Sequence, residues 1–322
     1  MTALEDPGRG EIVLVTGGAG AIGSRVVRAL SGHDVIVLDD LSSGSRDNLA
    51  QIGADLVFGS VTDDAALEQV FARRPTVVVH LAAFFANQNS VEHPERDLSV
   101  NGLGTLKVLE RSRAAGIRRF VYASSSSIYA DASGALREDS PHESFSTPYA
   151  VSKRLGEQYT NFFHAHHGLP TVVLRLFNSY GPGEVPGRYR NVIPNFLFRA
   201  LTRKPLVITG TGEETRDFTY VDDVARAFLA AIERDEAVGR TLNVGAGRET
   251  SIRDLVEKIR ALVGKVVVDY APRRSWDRVS RRVADISAAR QILGFEPRIG
   301  LDDGLTKTLA WLRELDLSRL DA

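Results

Sequence analysis

The 322-residue chain contains no cysteine, one methionine and two tryptophans. Without cysteine there is no disulfide, no thiolate metal site and no cysteine nucleophile. An excess of charge of either sign is missing too. Lys and Arg number 40 against 41 Asp and Glu, a formal net charge of −1. No global basic field therefore draws the chain to nucleic acid or to an anionic membrane surface. No run of eighteen apolar residues occurs, so no membrane-spanning helix is expected. The opening MTALEDPGRGE is polar and acidic, unlike a secretory leader. Internal repeats and low-complexity linkers are also absent. With 43% hydrophobic and 25% charged residues, the composition is that of a soluble globular protein, and a cytoplasmic location is expected.

What is present is alternation. Apolar, β-branched runs read as buried strands at Ile12–Thr16, Asp34–Asp40, Asp55–Gly59, Thr76–Ala83, Arg119–Ser125 and Thr171–Phe177. Amphipathic stretches lie between them, such as AIGSRVVRALSG, AALEQVFARR and NGLGTLKVLERSRAAG, each followed by or ending in Gly or Pro. Repeated β–α units predict an α/β fold with a doubly wound parallel sheet of the Rossmann type. Beyond Phe177 the texture changes to a Gly-, Pro- and Arg-rich loop, then helical periods and short strands. This predicts a smaller, interleaved α/β lobe. Residues 1–177, with roughly 218–244 returning, would form a dinucleotide-binding domain, and 178–217 with 245–322 a substrate domain.

The segment TGGAGAIGS places Gly17, Gly20 and Gly23 between the first strand and the first helix. Glycines there allow a tight turn and a close approach of backbone to a pyrophosphate at the helix N-terminus. A ligand-free glycine turn would look the same. Sixteen residues past Gly23, the second strand ends in Asp39 and Asp40. Asp39 can accept both ribose hydroxyls of an adenosine and would repel a 2′-phosphate, so NAD is expected over NADP.

TPYAVSK sets Tyr149 and Lys153 four residues apart, on one face of a helix. An ammonium beside a phenol favours the phenolate and makes it a usable base. SSSSIYA, at the end of the fifth strand, adds a row of hydroxyls. Together with TGGAGAIG, HLAA, RLFNSYGPG, GTGEETRDFTYVDD, LNVG and ADISAARQILGFEP, the chain resembles the extended short-chain dehydrogenase/reductases, in their nucleotide-sugar epimerase/dehydratase branch. The resemblance implies NAD as cofactor and oxidation of a sugar C4 hydroxyl. Tyr149 would take the proton, Lys153 would bridge to the nicotinamide ribose, and Ser125 would hydrogen-bond the sugar O4 and Tyr149. It further implies cofactor contacts from Gly17, Gly20, Ala21, Ile22, Gly23, Asp39, Ser60, Val61, Leu81, Ala82 and Ala83. Ser60 stands where many relatives carry an acid.

The similar 4,6-dehydratases have Asp and Glu directly after the serine. Here the positions are Ser126 and Ser127, which cannot serve as proton acids near neutral pH. C4 epimerisation of a UDP- or dTDP-hexose or N-acetylhexosamine is therefore the expected outcome. A dehydratase giving a 5,6-ene or 4-keto product is the alternative, with Glu92, Glu143 or Glu184 as acid. A tunicamycin-type UDP-GlcNAc 5,6-dehydratase is the subgroup in view. A non-catalytic NAD-binding regulator is the distant rival. By resemblance, the substrate would meet Ser126, Asn178, Asn191, Val192, Arg216, Arg274 and Asp277. Phe84-Phe85 and Asn87-Gln88-Asn89 depart from the simpler pattern of epimerases, either as sugar contacts or as a packed loop. His164, His166 and His167 have no carboxylate at ligand spacing, so no metal is expected. Helices over Leu98–Ala115 and Tyr149–His166 would pair two copies into a homodimer, as in the family. The same apolar residues would also serve packing within one chain.

Overall fold

A computed structural model describes residues 10–140 and 144–320. Most of the opening segment read against a secretory leader lies outside the described residues, as does Glu143. A seven-stranded parallel sheet forms the larger half. Its strands are β1 (Ile12–Thr16), β2 (Asp34–Asp39), β3 (Asp55–Phe58), β4 (Val77–His80), β5 (Arg119–Ser125), β6 (Thr171–Leu176) and β7 (Thr241–Val244). Their order across the sheet is β7-β6-β5-β4-β1-β2-β3. The runs are apolar on both faces because helices cover both: Val13 and Val15 face one core cluster, Leu14 and Val78 the other. The predicted strands end one to three residues early at their C-terminal ends, apart from β1 and β5. Residues such as Leu81 to Ala83 there leave the ladder and line a cleft.

Helix α1 (Ala21–Ala29) follows β1, α2 (Asp64–Phe71) follows β3, and α3 (Thr105–Ala115) precedes β5. The helix predicted from Asn101 is wound as a π-helix over Leu98–Gly104 before α3 begins. Gly104 lets this wider turn lie close to Val61, whose side chain a Cβ would meet at 2.6 Å. Helix α4 (Pro148–His167) starts as its sequence dictates: Thr147 caps Ala150 N, and Pro148 occupies the first turn.

After β6 the chain leaves the sheet and builds α5 (Val192–Leu201). It returns as α6 (Val221–Glu233), which packs on α1, and as β7, then leaves again for α7 (Ile252–Val263) and α8 (Leu301–Glu314). A separate core of Tyr180, Phe196, Leu206, Leu255 and Leu309 holds that second half together. Arg282–Ala284 runs beside Gly134–Leu136. Among the described residues, no helix is long and apolar enough to cross a membrane.

Candidate active site

The C-terminal ends of the parallel strands and the second half enclose one cleft of about 450 Å³, within the range of small-molecule sites. At one end lies the glycine turn. Gly17 has φ +72, and a Cβ on it would strike Ala82 N at 2.6 Å. A Cβ on Gly23 would strike Gly17 O at 2.1 Å. The turn is therefore closed to side chains and leaves the start of α1, which has no side-chain cap, facing the cleft. Such a cradle fits a dinucleotide pyrophosphate. Asp39 stands at the end of β2, accepting from Ala19 N at 2.9 Å and Leu41 N at 2.8 Å. Burial pushes its carboxyl up, and those two bonds oppose the shift. Gly20, Ala21, Ile22, Ser60, Val61, Leu81, Ala82 and Ala83 line the same stretch. Ser60 bonds Thr62.

Midway, β5 and α4 bring Ser125, Tyr149 and Lys153 to the wall of the cleft. Tyr149 shares a hydrogen bond with Ser125. Ser125 Oγ also accepts from Ser127 N at 3.1 Å, capping the turn Ser126–Tyr129. Burial pushes the Tyr149 phenol up, and the Ser125 bond opposes it. The sequence led us to expect a phenol lowered by Lys153. Instead the lysine is the group brought down, to about 8, by burial, while Asp97 and Glu157 hold it up. The reason is direction: the ammonium donates to Ala123 O at 2.7 Å and lies 4.9 Å from the centre of the Tyr122 ring.

Sequence reasoning missed Ser90 and Asn101, which help seat these residues, while Phe84, Phe85 and Asn87, weighed as sugar contacts or a packed loop, pack there as well. Tyr149 N donates to Ser90 Oγ at 3.0 Å, and Thr147 Oγ1 donates to Asn87 Oδ1 at 2.8 Å. The π-helical Asn101 accepts from Phe84 N at 2.7 Å and donates to Asp97 at 2.8 Å. Phe85 meets the Tyr149 ring edge-on at 6.0 Å, so the aromatic pair both packs and lines the cleft. Below them runs a one-way chain. Thr105 Oγ1 donates to Asn101 O, so it accepts from His80 Nε2 at 2.9 Å. His80 Nδ1 then accepts from Thr16 Oγ1 at 2.7 Å. Burial, with the Lys153 charge adding to it, pushes His80 down to about 3, so it stays neutral.

At the far end Asn178, Asn191, Val192, Arg216, Arg274 and Asp277 line the cleft, as does Ser126 nearer the centre. Arg216 holds Asp277 in a two-point contact at 3.2 and 3.3 Å. Burial pulls the Arg216 guanidinium down, and Asp277 opposes it. Arg274 lies 5.5 Å from the Trp276 ring centre. Asn178 donates to Asp217 O, and Asn191 donates from its main chain to Glu184 at 3.2 Å. Gln88 accepts from Trp276 Nε1 at 3.0 Å, which ties the two halves across the cleft. Of the acids weighed from sequence, Glu92 accepts from Tyr189, Gln88 and Arg188 and is held below the usual carboxylate range. Glu184 is buried and raised. His164 bonds Leu169 O, and His166 stacks on Phe162 at 4.4 Å. Among the described residues, no three His, Cys, Asp or Glu side chains are grouped to hold a metal.

Residues 13–245 match the model of the NAD dependent epimerase/dehydratase family. A UDP-glucose 4-epimerase of Mycolicibacterium smegmatis is 36% identical over 93% of this chain and 98% of its own. Among solved structures, epimerase Mth375 of Methanothermobacter thermautotrophicus superposes with a TM-score of 0.93 at 46% identity, covering 95% of this chain and 93% of that one. A UDP-glucose 4-epimerase of Thermotoga maritima, solved with UDP-glucose, gives 0.89 at 36%, covering 94% and 99%. The glycine cradle and the α/β sheet are thus those of a nucleotide-sugar enzyme that uses NAD, and the chain belongs to the NAD-dependent epimerase/dehydratase family of extended short-chain dehydrogenase/reductases.

Proposed function

We propose that the protein epimerises a UDP-hexose at C4 through transient oxidation of the C4 hydroxyl. One observation carries this reading: Tyr149 hydrogen-bonds Ser125 inside the cleft, and the turn that follows, Ser126–Tyr129, holds no carboxylate. Bound at the cradle of Gly17, Gly20 and Gly23 and at Asp39, NAD supplies a reversible two-electron acceptor for the C4 hydrogen. Tyr149 would act as the phenolate, a form that the Lys153 charge and the cationic ring of bound NAD would favour over the protonated phenol of the empty cleft; it would take the O4 proton and later return it, and Ser125 would hold O4 in line with it. Lys153 keeps a positive charge beside them and would help hold the ribose of bound NAD. Ser126 and Ser127 offer hydroxyls where an elimination would need acids. Asn178, Asn191, Val192, Arg216, Arg274 and Asp277 hold the nucleotide diphosphate, the guanidiniums gripping phosphate oxygens. On this reading residues 1–177, with roughly 218–244 returning, act as the cofactor domain, and 178–217 with 245–322 as the substrate domain.

Incubation with UDP-glucose in deuterium oxide tests this. UDP-galactose with unchanged mass and no solvent deuterium is expected. Loss of water would instead assign the dehydratase alternative.

Two copies pair, on this reading, through the π-helical stretch and α4. Leu98, Leu103, Val151 and Phe162 there are 44–55% exposed, a costly apolar face for a lone chain. Gly102 lets the two elements lie against each other at Leu155. Sedimentation at micromolar concentration should give a dimer that Leu103→Glu with Val151→Glu dissociates. A cytoplasmic setting completes the proposal.

A further inference from the structure

The short helix Asn87–Glu92 carries the amides that the sequence set apart, and it uses them in two directions. Asn87 Oδ1 accepts from Thr147 Oγ1 and Ser90 Oγ accepts from Tyr149 N, so one side holds the start of α4. Gln88 and Glu92 reach instead to the second half of the molecule. Gln88 Oε1 accepts from Trp276 Nε1 at 3.0 Å, and its Nε2 donates to Glu92 Oε1 at 2.6 Å. Glu92 also accepts from the Tyr189 hydroxyl at 2.6 Å and from Arg188 at 2.9 Å. Gln88, Arg188, Tyr189 and Trp276 all line the cleft. Both ends of the Gln88 amide are therefore engaged, and they join two loops of the second half to the helix that seats the base.

All of these links run between side chains, and Arg188 is 72% exposed. Such partly solvated bonds are individually weak, so they can part and re-form without moving the sheet. Trp276 stands among residues already read as nucleotide contacts. The Arg274 guanidinium lies 5.5 Å from its ring centre, and the adjoining Asp277 is held by Arg216. A diphosphate gripped there fixes the loop that carries Trp276 and so favours its bond to Gln88. Epimerisation through transient oxidation has a special need for such a bond. The ketosugar must turn its other face to the cofactor before the hydride returns, and it must not leave meanwhile. Should it leave, both electrons stay on the bound nicotinamide, the proton stays on Tyr149, and that copy of the enzyme stops. We propose that Gln88 is a positioning residue that clasps Trp276 to shut the cleft over the bound nucleotide sugar, and so retains the oxidised sugar until it is reduced again; this rests on the epimerase reading above.

The first arm of the test needs no turnover: the dissociation rate of UDP from the NAD-loaded protein, by surface plasmon resonance. Gln88→Leu removes the acceptor and Trp276→Phe removes the donor, so if one variant does not fold the other still reports. Each should speed dissociation at least about tenfold. The double variant should be no faster than the quicker single one, because only one bond is there to lose. Rates that both single changes leave intact overturn the clasp, as does a fully additive acceleration in the double variant. The second arm is turnover of UDP-glucose. Gln88→Leu should accumulate reduced-nicotinamide absorbance on the protein and a UDP-4-ketohexose in solution, and wild type neither. Equal amounts in both overturn the retention role. A wild type that binds UDP yet yields no UDP-galactose would sink the epimerase reading, and the dissociation rates would still decide whether Gln88 clasps the cleft.

Discussion

Lys153 donates its ammonium to the main-chain carbonyl of Ala123 at 2.7 Å, which nails the first turns of α4 to the end of β5. Ser125 lies two residues beyond that carbonyl and Tyr149 one turn before the lysine. The bond therefore sets the spacing of the hydroxyl pair as well as the place of the charge.

Tyr149→Phe removes the hydroxyl that bonds Ser125 and little else, because Phe85 packs on the ring edge, which remains. We expect kcat on UDP-glucose to fall about 10²–10⁴-fold, with bound NAD retained. NAD content after denaturation and product by NMR check both. Undiminished turnover would sink the proposed mechanism.

Arg216→Leu removes a guanidinium placed by Asp277 and by the carbonyls of Thr215 and Val279. If it grips phosphate, KM for UDP-glucose should rise roughly 10- to 100-fold while kcat changes far less. A loss confined to kcat would count against that role.

Glu157 is fully buried between Arg175 and Arg154, and the Arg175 bonds and charge hold its carboxyl below the usual range against desolvation. Glu157→Gln strands the Arg175 charge and should cost about 3–5 kcal/mol of stability by urea denaturation. Exchanging both residues for leucine should cost less than the two single changes added together. Additive losses would show that the pair is not coupled.

His80 gives a pH signature. Its folded value near 3 lies below the usual value of about 6.5. Between the two, the unfolded chain binds a proton that the folded chain refuses. The stability this histidine contributes is thus fully present above about pH 6.5. It is lost as pH falls toward 3, by at most about 1.4 kcal/mol per pH unit. Urea melts of His80→Asn between pH 7 and 4 should show a shallower decline than wild type. Parallel curves would refute the neutral, buried assignment.

The fold was largely legible because β-branched runs covered on both faces leave few options, and six strands could be read within three residues at either end. Tyr149 and Lys153 could be placed on one helix face because a spacing of four is a local property. The seating contacts were not legible. Ser90 meets Tyr149 across 59 residues and Asn87 meets Thr147 across 60, and nothing in a local pattern announces such pairs. The direction of Lys153 was also hidden. Its target is a main-chain carbonyl, which every residue possesses. Asn101 escaped notice because its stretch reads as ordinary helix, whereas the chain winds it more loosely beside Gly102 and Gly104.

The last strand of the sheet, β7, is supplied by chain that has already visited the other half, and the chain then crosses over once more. A single scission cannot part the two halves cleanly: a cut at residue 177 carries β7 away with the second half, and a cut after 244 leaves Tyr180, Phe196 and Leu206 of the second core behind. A truncation at residue 177 would strip β6 of its outer neighbour and α1 of the helix packed on it. The two halves are thus bound to melt as one cooperative unit, and any opening of the cleft has to be shared among several parallel chain crossings, each limiting how far the others can swing.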